Sequence, residues 1–143
     1  MNANEGTPIH ILVVDDDEDT LFLIRKMLEK IGHRVTATPS AEEALVIFNG
    51  ATNNFNLVLT DMVMPGIDGC ELARRINEID AQIPIVLITG YGPEDLLPNM
   101  QSCEIRKIVY KPFTVEELKT TVAGVVELSI GDSSFDQPLM QQP

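Results

Sequence analysis

The sequence predicts an α/β fold: a flavodoxin-like, doubly wound sheet of five parallel strands in the order 2-1-3-4-5, with five helices on its two faces. Two observations support this prediction. Short apolar segments, too short for helices, alternate five times with segments that have helical spacing or helix-start signals. The apolar segments are continuous, which is typical of parallel strands buried on both faces. Right-handed crossovers then leave few topologies, and the order 2-1-3-4-5 is the natural candidate.

Each predicted strand is a short run dominated by apolar and β-branched residues. Runs of this length are too short for stable helices, and β-branched residues favour extended backbone. The predicted strands are residues 9–14, 34–38, 57–60, 85–88 and 107–110. The last of them is the weakest by this criterion.

Helices are predicted from apolar spacing and from start and stop signals. Apolar residues recur at helical spacing over 21–31, and Gly32 is the predicted stop. Three later helices begin at capping boxes, in which a Ser, Thr or Asp is followed three residues later by Glu. These boxes are Ser40 with Glu43, Asp68 with Glu71, and Thr114 with Glu117. The segment after the fourth strand is a poor helix, because Pro93 and Pro98 interrupt it.

Size and composition indicate one globular domain. The chain has 143 residues, of which 44% are hydrophobic, so a single core is expected. We predict a domain over residues 8–128, a flexible N-terminus over 1–7, and a flexible polar tail over 129–143.

Charge and composition exclude several classes of partner. A net charge of −12, with ten scattered Lys and Arg, argues against direct nucleic-acid binding and suits a cation or a basic protein face better. No apolar run approaches the roughly 18 residues that insertion into a bilayer requires, and the N-terminus lacks the features of a secretory signal. Cys70 and Cys103 match neither a disulfide framework nor a metal-binding spacing, so we expect two free thiols in a reducing cytoplasm.

Polar residues follow the predicted strands at one end. Asp15 and Asp16 follow the first strand, Asp61 the third, Thr89 the fourth and Lys111 the fifth. Taken singly, each has an ordinary structural explanation as a helix cap, a turn, a strand-end hydroxyl or a surface lysine. Because the carboxyl ends of parallel strands meet at one edge of the sheet, we expect all five to converge there. That convergence favours a functional site.

The residue types at this edge predict metal-assisted phosphate chemistry. Three carboxylates packed together repel one another, so either a cation lies between them or one pKa rises. Oxygen ligands without His or Cys predict a hard ion, Mg²⁺ or Mn²⁺. Asp15 and Asp16 would hold the ion, a main-chain carbonyl near Val63 would complete its shell, and Asp61 would be both ligand and nucleophile, forming an acyl phosphate. The lysine and the hydroxyl at the same edge would contact phosphoryl oxygens.

These residues resemble those of a known family, the receiver domains of two-component response regulators, and the chain is similar to single-domain chemotaxis regulators. The resemblance covers about residues 8–128. It rests on four segments in matching order and spacing: VVDD at 13–16, LVLTDMVMPGIDG at 57–69, ITG at 88–90 and YKPF at 110–113.

The resemblance implies a phosphorylation-controlled switch and not an enzyme. Asp61 would accept a phosphoryl group from the phosphohistidine of a sensor histidine kinase or a phosphotransfer protein, and would then change the binding of an output protein that the sequence does not identify. Asp15 and Asp16 would bind Mg²⁺, Thr89 would be the switch hydroxyl, and Lys111 would contact the phosphoryl group.

The last strand and the segment before it show one expected family feature and two departures. The family implies a cis peptide bond at Lys111–Pro112. It often has an inward-turning aromatic residue three positions before the lysine, where this chain has Ile108. Tyr110 lies next to Lys111 instead, at an odd offset from the lysine, and we expect it to face another side. Pro93 and Pro98 also replace a regular fourth helix, on a face through which family members commonly signal.

Two other protein classes use similar residues. A haloacid-dehalogenase-type phosphatase requires DxDx[TV] after the first strand, but here the fifth position from Asp15 is Asp19, and Thr20 comes one residue late. A flavodoxin binds phosphate at its first loop, where DDDED would repel it. The chain is either a stand-alone regulator, which its initial Met slightly favours, or a receiver domain excised from a hybrid kinase or longer regulator.

Overall fold

The structure is a computed structural model that describes residues 8–50, 54–90 and 104–132. Within these ranges, five parallel strands form one sheet in the order β2-β1-β3-β4-β5. The strands are β1 (His10–Val14), β2 (Arg34–Thr38), β3 (Leu57–Asp61), β4 (Ile85–Thr89) and β5 (Lys107–Tyr110). The predicted fold class and strand order are confirmed.

The strands end close to their predicted limits, with differences that concern the candidate site. β1 begins one residue later than predicted, whereas β3 and β4 each extend one residue further, to Asp61 and Thr89. In the sheet register, Asp61 lies opposite Ile88 and Thr89 lies opposite Tyr110. Strand pairing therefore holds the backbone of two functional candidates that the sequence analysis placed just beyond the strands.

The described ranges contain helices α1 (Glu18–Ile31), α2 (Ala41–Gly50), α3 (Gly69–Ile79) and α4 (Val115–Asp132). α1 ends at Gly32 as predicted: its φ of 118° is left-handed, and the N–H groups of Gly32 and His33 donate to the Leu28 carbonyl. α4 continues past residue 128 into the predicted tail, because each added residue gains a hydrogen bond and no proline intervenes. The predicted helix around Pro93 and Pro98 lies outside the described residues, as do residues 1–7 and 133–143.

Two of the predicted capping boxes differ in where the glutamate side chain goes. At α4 the box is reciprocal: the Glu117 N–H donates to Thr114 Oγ1 at 3.0 Å, and the Thr114 N–H donates to Glu117 Oε1 at 2.9 Å. At α2 the Glu43 N–H donates to Ser40 Oγ at 3.0 Å, but the Glu43 carboxylate accepts from the Thr38 hydroxyl at 2.6 Å. A nearby buried donor thus replaces the backbone N–H that the pattern predicts.

The third box behaves like the second. The Glu71 N–H donates to Asp68 Oδ1 at 2.8 Å, so Asp68 caps α3 as predicted. The Glu71 carboxylate instead pairs with Arg74 and Arg75, one turn further along the helix. The pattern therefore predicts the N-cap correctly, whereas the tertiary surroundings decide the partner of the glutamate.

Two apolar cores cover the two faces of the sheet, because successive side chains of a strand point to opposite faces. On β1, Leu12 and Val14 pack with residues of α2 and α3, whereas Ile11 and Val13 pack with residues of α1 and α4. The carboxyl ends of all five parallel strands meet at one edge. No helix in the described part of the chain is long and apolar enough to cross a bilayer.

Candidate functional site

The acidic residues converge at the carboxyl edge of the sheet, as predicted. Asp15 directly follows β1, and its N–H donates to the Thr38 carbonyl at the end of β2. Asp61 ends the neighbouring strand β3, next to β1 in the sheet. Carboxylate oxygens of Asp15, Asp16 and Asp61 all lie within 4.8 Å of one another. Tertiary structure therefore joins residues that are about 45 positions apart in the sequence into one oxygen-rich cluster.

Lys111 reaches the same cluster from β5. Its Nζ lies 3.4 Å from Asp61 Oδ1 and 3.6 Å from Asp15 Oδ2. The Lys111 N–H donates to the Thr89 carbonyl at 2.7 Å, which ties the start of the loop to the end of β4. The peptide bond between Lys111 and Pro112 is cis, as the family resemblance implies. The ammonium group is thus placed between two carboxylates that would otherwise repel each other.

Burial and mutual repulsion set the electrostatics of the acids. The Asp15 side chain is 1% exposed, and burial raises the pKa of its carboxyl, while the Asp17 N–H and Lys111 act in the opposite direction. Burial also raises the pKa of Asp61, repulsion from Asp15 adds to this rise, and Lys111 opposes it. A cation beside these groups would favour their ionised forms, because it offsets both causes of the rise.

The donor set fits a hard divalent cation. Asp15 Oδ1 accepts from the Asp17 N–H at 2.9 Å, whereas the buried Asp15 Oδ2 has no hydrogen-bond donor among the described residues. A buried carboxylate oxygen is normally hydrogen-bonded, and Lys111 Nζ at 3.6 Å is too far away to supply that bond, so this oxygen could accept a metal ion. The oxygens of Asp16 and Asp61 beside it match the all-oxygen coordination that Mg²⁺ prefers.

The other predicted site residues lie at the same edge. Thr89 is 1% exposed at the last position of β4. Val63 follows Asp61 by two residues, in the loop after β3, and its side chain is 50% exposed. Val63 is thus next to the acidic cluster along the chain, and Thr89 is next to it on the neighbouring strand β4.

Two supporting residues were missed by the sequence analysis. Asp17 was given no role at the site, yet its N–H donates to the Asp15 carboxylate, and its own carboxylate accepts from the Thr20 hydroxyl at 2.5 Å. The Thr38 carbonyl fixes the backbone of Asp15. The run of three aspartates was a signal in the sequence that could have pointed to Asp17. The role of Thr38 depends on strand pairing, which leaves no local signal in the sequence.

The departures from the family pattern on β5 are visible in the structure. Ile108 is partly buried and packs against the small cluster of Met62, Cys70 and Leu87. Tyr110 is 40% exposed. The expected change of face is wrong, because Ile108 and Tyr110 are two residues apart and lie on the same face of β5. An aliphatic side chain fills the more buried position on that face, and the aromatic ring at the end of the strand is exposed.

The prediction of two free thiols is wrong for Cys70, which is disulfide-bonded in the structure. Cys70 is the second residue of α3, is 4% exposed, and packs with Met62 and Leu87. The prediction relied on spacing along the chain, and spacing does not report which side chains meet in three dimensions. Cys103 lies outside the described residues. Disulfides are rare in reducing compartments. The cysteines therefore no longer support the expected cytoplasmic location.

The fold and the edge cluster together define a receiver-type domain: a doubly wound sheet with acids, a hydroxyl and a lysine at one edge. The family model for the response regulator receiver domain matches residues 11–123, and the chain belongs to this family. It is a receiver domain of two-component signalling, which confirms the resemblance noted in the sequence. These matches give no support to the haloacid-dehalogenase alternative.

Relatives of known name span different lengths. The response regulator receiver protein CpdR of Brucella abortus is 39% identical over 108 residues, with 76% of this chain and 88% of CpdR covered. The two-component response regulator ARR14 of Arabidopsis thaliana is 33% identical, with 88% of this chain and 34% of ARR14 covered. The chain therefore spans most of one relative and about a third of the other.

A solved structure is also similar. The response regulator protein TrrA of Thermotoga maritima, in complex with Mg²⁺–BeF, is 33% identical with a TM-score of 0.72. The match covers 82% of this chain and 98% of that protein.

Proposed function

We propose that this receiver domain accepts a phosphoryl group on Asp61, in a reaction that depends on Mg²⁺, from the phosphohistidine of a histidine kinase or a phosphotransfer protein. The observation that carries the proposal is the meeting of Asp15, Asp16 and Asp61 within 4.8 Å, with Lys111 Nζ 3.4 Å from Asp61 Oδ1. The complex of the relative TrrA with Mg²⁺–BeF supports both the metal and the phosphoryl-like ligand.

The residues divide the work as follows. Asp15, Asp16, Asp61 and the Val63 carbonyl would hold the metal, Mg²⁺ or Mn²⁺, which supplies positive charge that stabilises the phosphoryl oxygens during transfer. The ionised Asp61 carboxylate forms a bond to phosphorus while the phosphorus–nitrogen bond of the donor breaks, and the electron pair of that bond returns to the imidazole, which takes up a proton from solvent. Lys111 favours the ionised form of Asp61 before transfer.

Two residues act on the product. Lys111, already 3.4 Å from the nucleophilic carboxylate, would pair with a phosphoryl oxygen once the acyl phosphate has formed. Thr89, at the end of β4, would donate its hydroxyl to another phosphoryl oxygen. Thr89 ends β4, which is adjacent to β3, and Lys111 directly follows β5, which pairs with β4. A change in the positions of these two groups would therefore be transmitted to the outer surface of β4 and β5.

The reaction consumes the domain as an acceptor, so we regard it as a switch that promotes its own modification and not as an enzyme with an external substrate. The net charge of −12 favours a protein output partner over direct contact with nucleic acid. The family's partners are kinases and output domains. We therefore also propose that this domain acts in the cytoplasm.

Mass spectrometry after incubation with acetyl phosphate and Mg²⁺ tests the phosphoacceptor. The parent protein should gain one phosphoryl group, about 80 Da, because a small acyl phosphate can replace the protein donor. Asp61→Asn should gain none, since an amide is a poor nucleophile. Asp80→Asn, the same change at the C-cap of α3, should label like the parent. Undiminished labelling of Asp61→Asn would refute the assignment.

Calorimetric titration with Mg²⁺ tests the metal site. Asp16→Ala removes one of three clustered carboxylates and should weaken binding at least about tenfold, the loss expected when a ligand or its support is removed. Asp19→Ala removes an exposed acid in the first turn of α1 and should bind Mg²⁺ nearly as the parent does. Equal affinity of Asp16→Ala and the parent would show that the cluster is not the metal site.

A further inference from the structure

Three hydrogen bonds hold the two peptide units that follow the phosphoacceptor. The Thr60 hydroxyl donates to the Asp61 carbonyl at 3.0 Å, and the Met62 N–H donates to the Ile88 carbonyl of β4 at 3.1 Å. The Gly69 N–H, at the first residue of α3, donates to the Met62 carbonyl at 2.8 Å. The loop from Asp61 to Gly69 is therefore closed by a hydrogen bond at its base, directly beside the reactive side chain.

Gly69 lies in contact with the phosphoacceptor backbone. A Cβ added at Gly69 would lie 2.4 Å from the Asp61 carbonyl oxygen, 2.9 Å from Leu87 Cδ2 and 3.0 Å from Met62 Cα. Real Cβ atoms essentially never come closer than 3.0 Å to a heavy atom, and two of these three neighbours are backbone atoms that cannot rotate away. The first turn of α3 thus packs against the Asp61 carbonyl at a distance that any side chain would prevent.

The need for glycine at this position is one of space and not of backbone torsion. Among the described glycines, only Gly32 and Gly66 have φ values in the left-handed region. An alanine could therefore adopt the backbone conformation of Gly69. The cost of a side chain at this position comes from the contact with the phosphoacceptor and its neighbours.

We infer that Gly69 is a positioning residue for the phosphoacceptor: by lacking a side chain, it lets α3 pack against the Asp61 carbonyl and so sets where the Asp61 carboxylate stands relative to Asp15 and Lys111. The inference rests on the proposed role of Asp61. Moving the Asp61 carbonyl carries its Cα along, and the carboxylate is only two bonds further. An added methyl group must separate the two segments by at least about 0.6 Å, and displacements near 1 Å cost on the order of a hundredfold in well-oriented reactions.

The test compares phosphorylation rates with acetyl phosphate and Mg²⁺ at a temperature well below unfolding. Gly69→Ala should lower the maximal rate about 10- to 100-fold, with a smaller change in the half-saturating concentration of acetyl phosphate, because reactive geometry is altered more than substrate entry. Mg²⁺ affinity should also fall several-fold, since Asp61 is a proposed ligand. This second measurement does not require phosphoryl transfer.

Two control variants separate positioning from loss of stability. Asp68→Ala removes the N-cap of the same helix and destabilises it without adding volume at the contact, so it should keep the parental rate. Gly124→Ala adds the same methyl group on α4, where no described atom outside the surrounding helical backbone and the two chain neighbours lies within 4 Å, and it should also keep the parental rate. If the rate falls equally in Asp68→Ala, it follows helix stability and the positioning role is refuted.

A third variant decides which contact matters. Gly69→Ala combined with Leu87→Val relieves the side-chain contact at 2.9 Å but leaves the one with the Asp61 carbonyl. The rate should stay low, and recovery to the parental rate would overturn the inference. If Gly69→Ala does not fold, Thr60→Val removes the donor to the same carbonyl without adding volume. Its rate should fall several-fold, and a parental rate would refute control through the carbonyl.

The outcomes also separate the two proposals. If the parent protein gains no phosphoryl group, the proposed function fails, while the Mg²⁺ affinity of Gly69→Ala still tests the positioning of Asp61. If the parent is phosphorylated and Gly69→Ala matches it in both rate and Mg²⁺ affinity, the proposed function stands and the inference about Gly69 fails.

Discussion

Lys111→Met should make the domain less stable at neutral pH, and the size of the effect follows from two distances in the structure. The ammonium group lies 3.4 Å from Asp61 and 3.6 Å from Asp15. At an effective dielectric constant of about 20, each pair attracts by roughly 5 kcal/mol. The lysine side chain is 30% exposed, and the acids lose hydration, so screening and desolvation cancel most of this gain. We expect a net loss of about 2 kcal/mol, or a fall in Tm of about 4–8 °C.

The stability difference between Lys111→Met and the parent should depend on pH. Asp15 and Asp61 have raised pKa values in the folded protein, so protonating them relieves repulsion and burial of charge. Without Lys111 those pKa values rise further, and the extra instability exists only where the carboxylates are ionised. The difference between variant and parent should therefore be full near pH 8 and should shrink as the pH falls through the folded-state pKa values of the two acids.

Urea unfolding monitored by circular dichroism at pH 8 and at pH 4 measures the difference. Lys107→Met is the matched control, because Lys107 is an exposed lysine on β5, the strand that leads to Lys111, and it has no ion pair in the described ranges. Saturating Mg²⁺ should restore part of the stability of Lys111→Met by supplying positive charge to the same acids. A Lys111→Met protein as stable as the parent at pH 8, or one with an undiminished deficit at pH 4, would refute the electrostatic account.

Three further predictions concern other parts of the domain. The His33 ring accepts a hydrogen bond from the Ile9 N–H at 3.2 Å, and burial lowers the pKa of this histidine. Because the unfolded chain then binds the proton more readily, stability should fall as the pH drops below about 6.5. His33→Gln should make the stability measured by urea unfolding depend less on pH over that range. Thr114→Ala should cost about 1 kcal/mol in thermal unfolding, because it breaks the reciprocal capping box with Glu117. Beryllofluoride with Mg²⁺ should leave the Tyr110 ring outside, and a crystal structure with that ring buried beside the site would contradict this.

Local sequence patterns predicted the elements and much of the site. Continuous apolar runs gave five parallel strands, and each predicted N-cap was found at the start of its helix. Because parallel strands share one carboxyl edge, the polar residues after them had to converge there. The hydrogen bond between Thr38 and Glu43 and the disulfide bond of Cys70 could not be predicted in this way. Each depends on which side chains meet in three dimensions, and spacing along the chain does not report that.

The sequence by itself determined which side chains would stand at the reactive edge, because the periodicity of burial fixes where strands end and topology brings those ends together. Only the tertiary structure decided how close they stand. It placed the ammonium of Lys111 between two buried carboxylates and packed Gly69 against the carbonyl of Asp61. Such distances arise from packing between segments that are far apart in the chain. A change of about half an ångström in one of these distances does not alter the pattern of apolar and polar residues, so the sequence pattern cannot predict it.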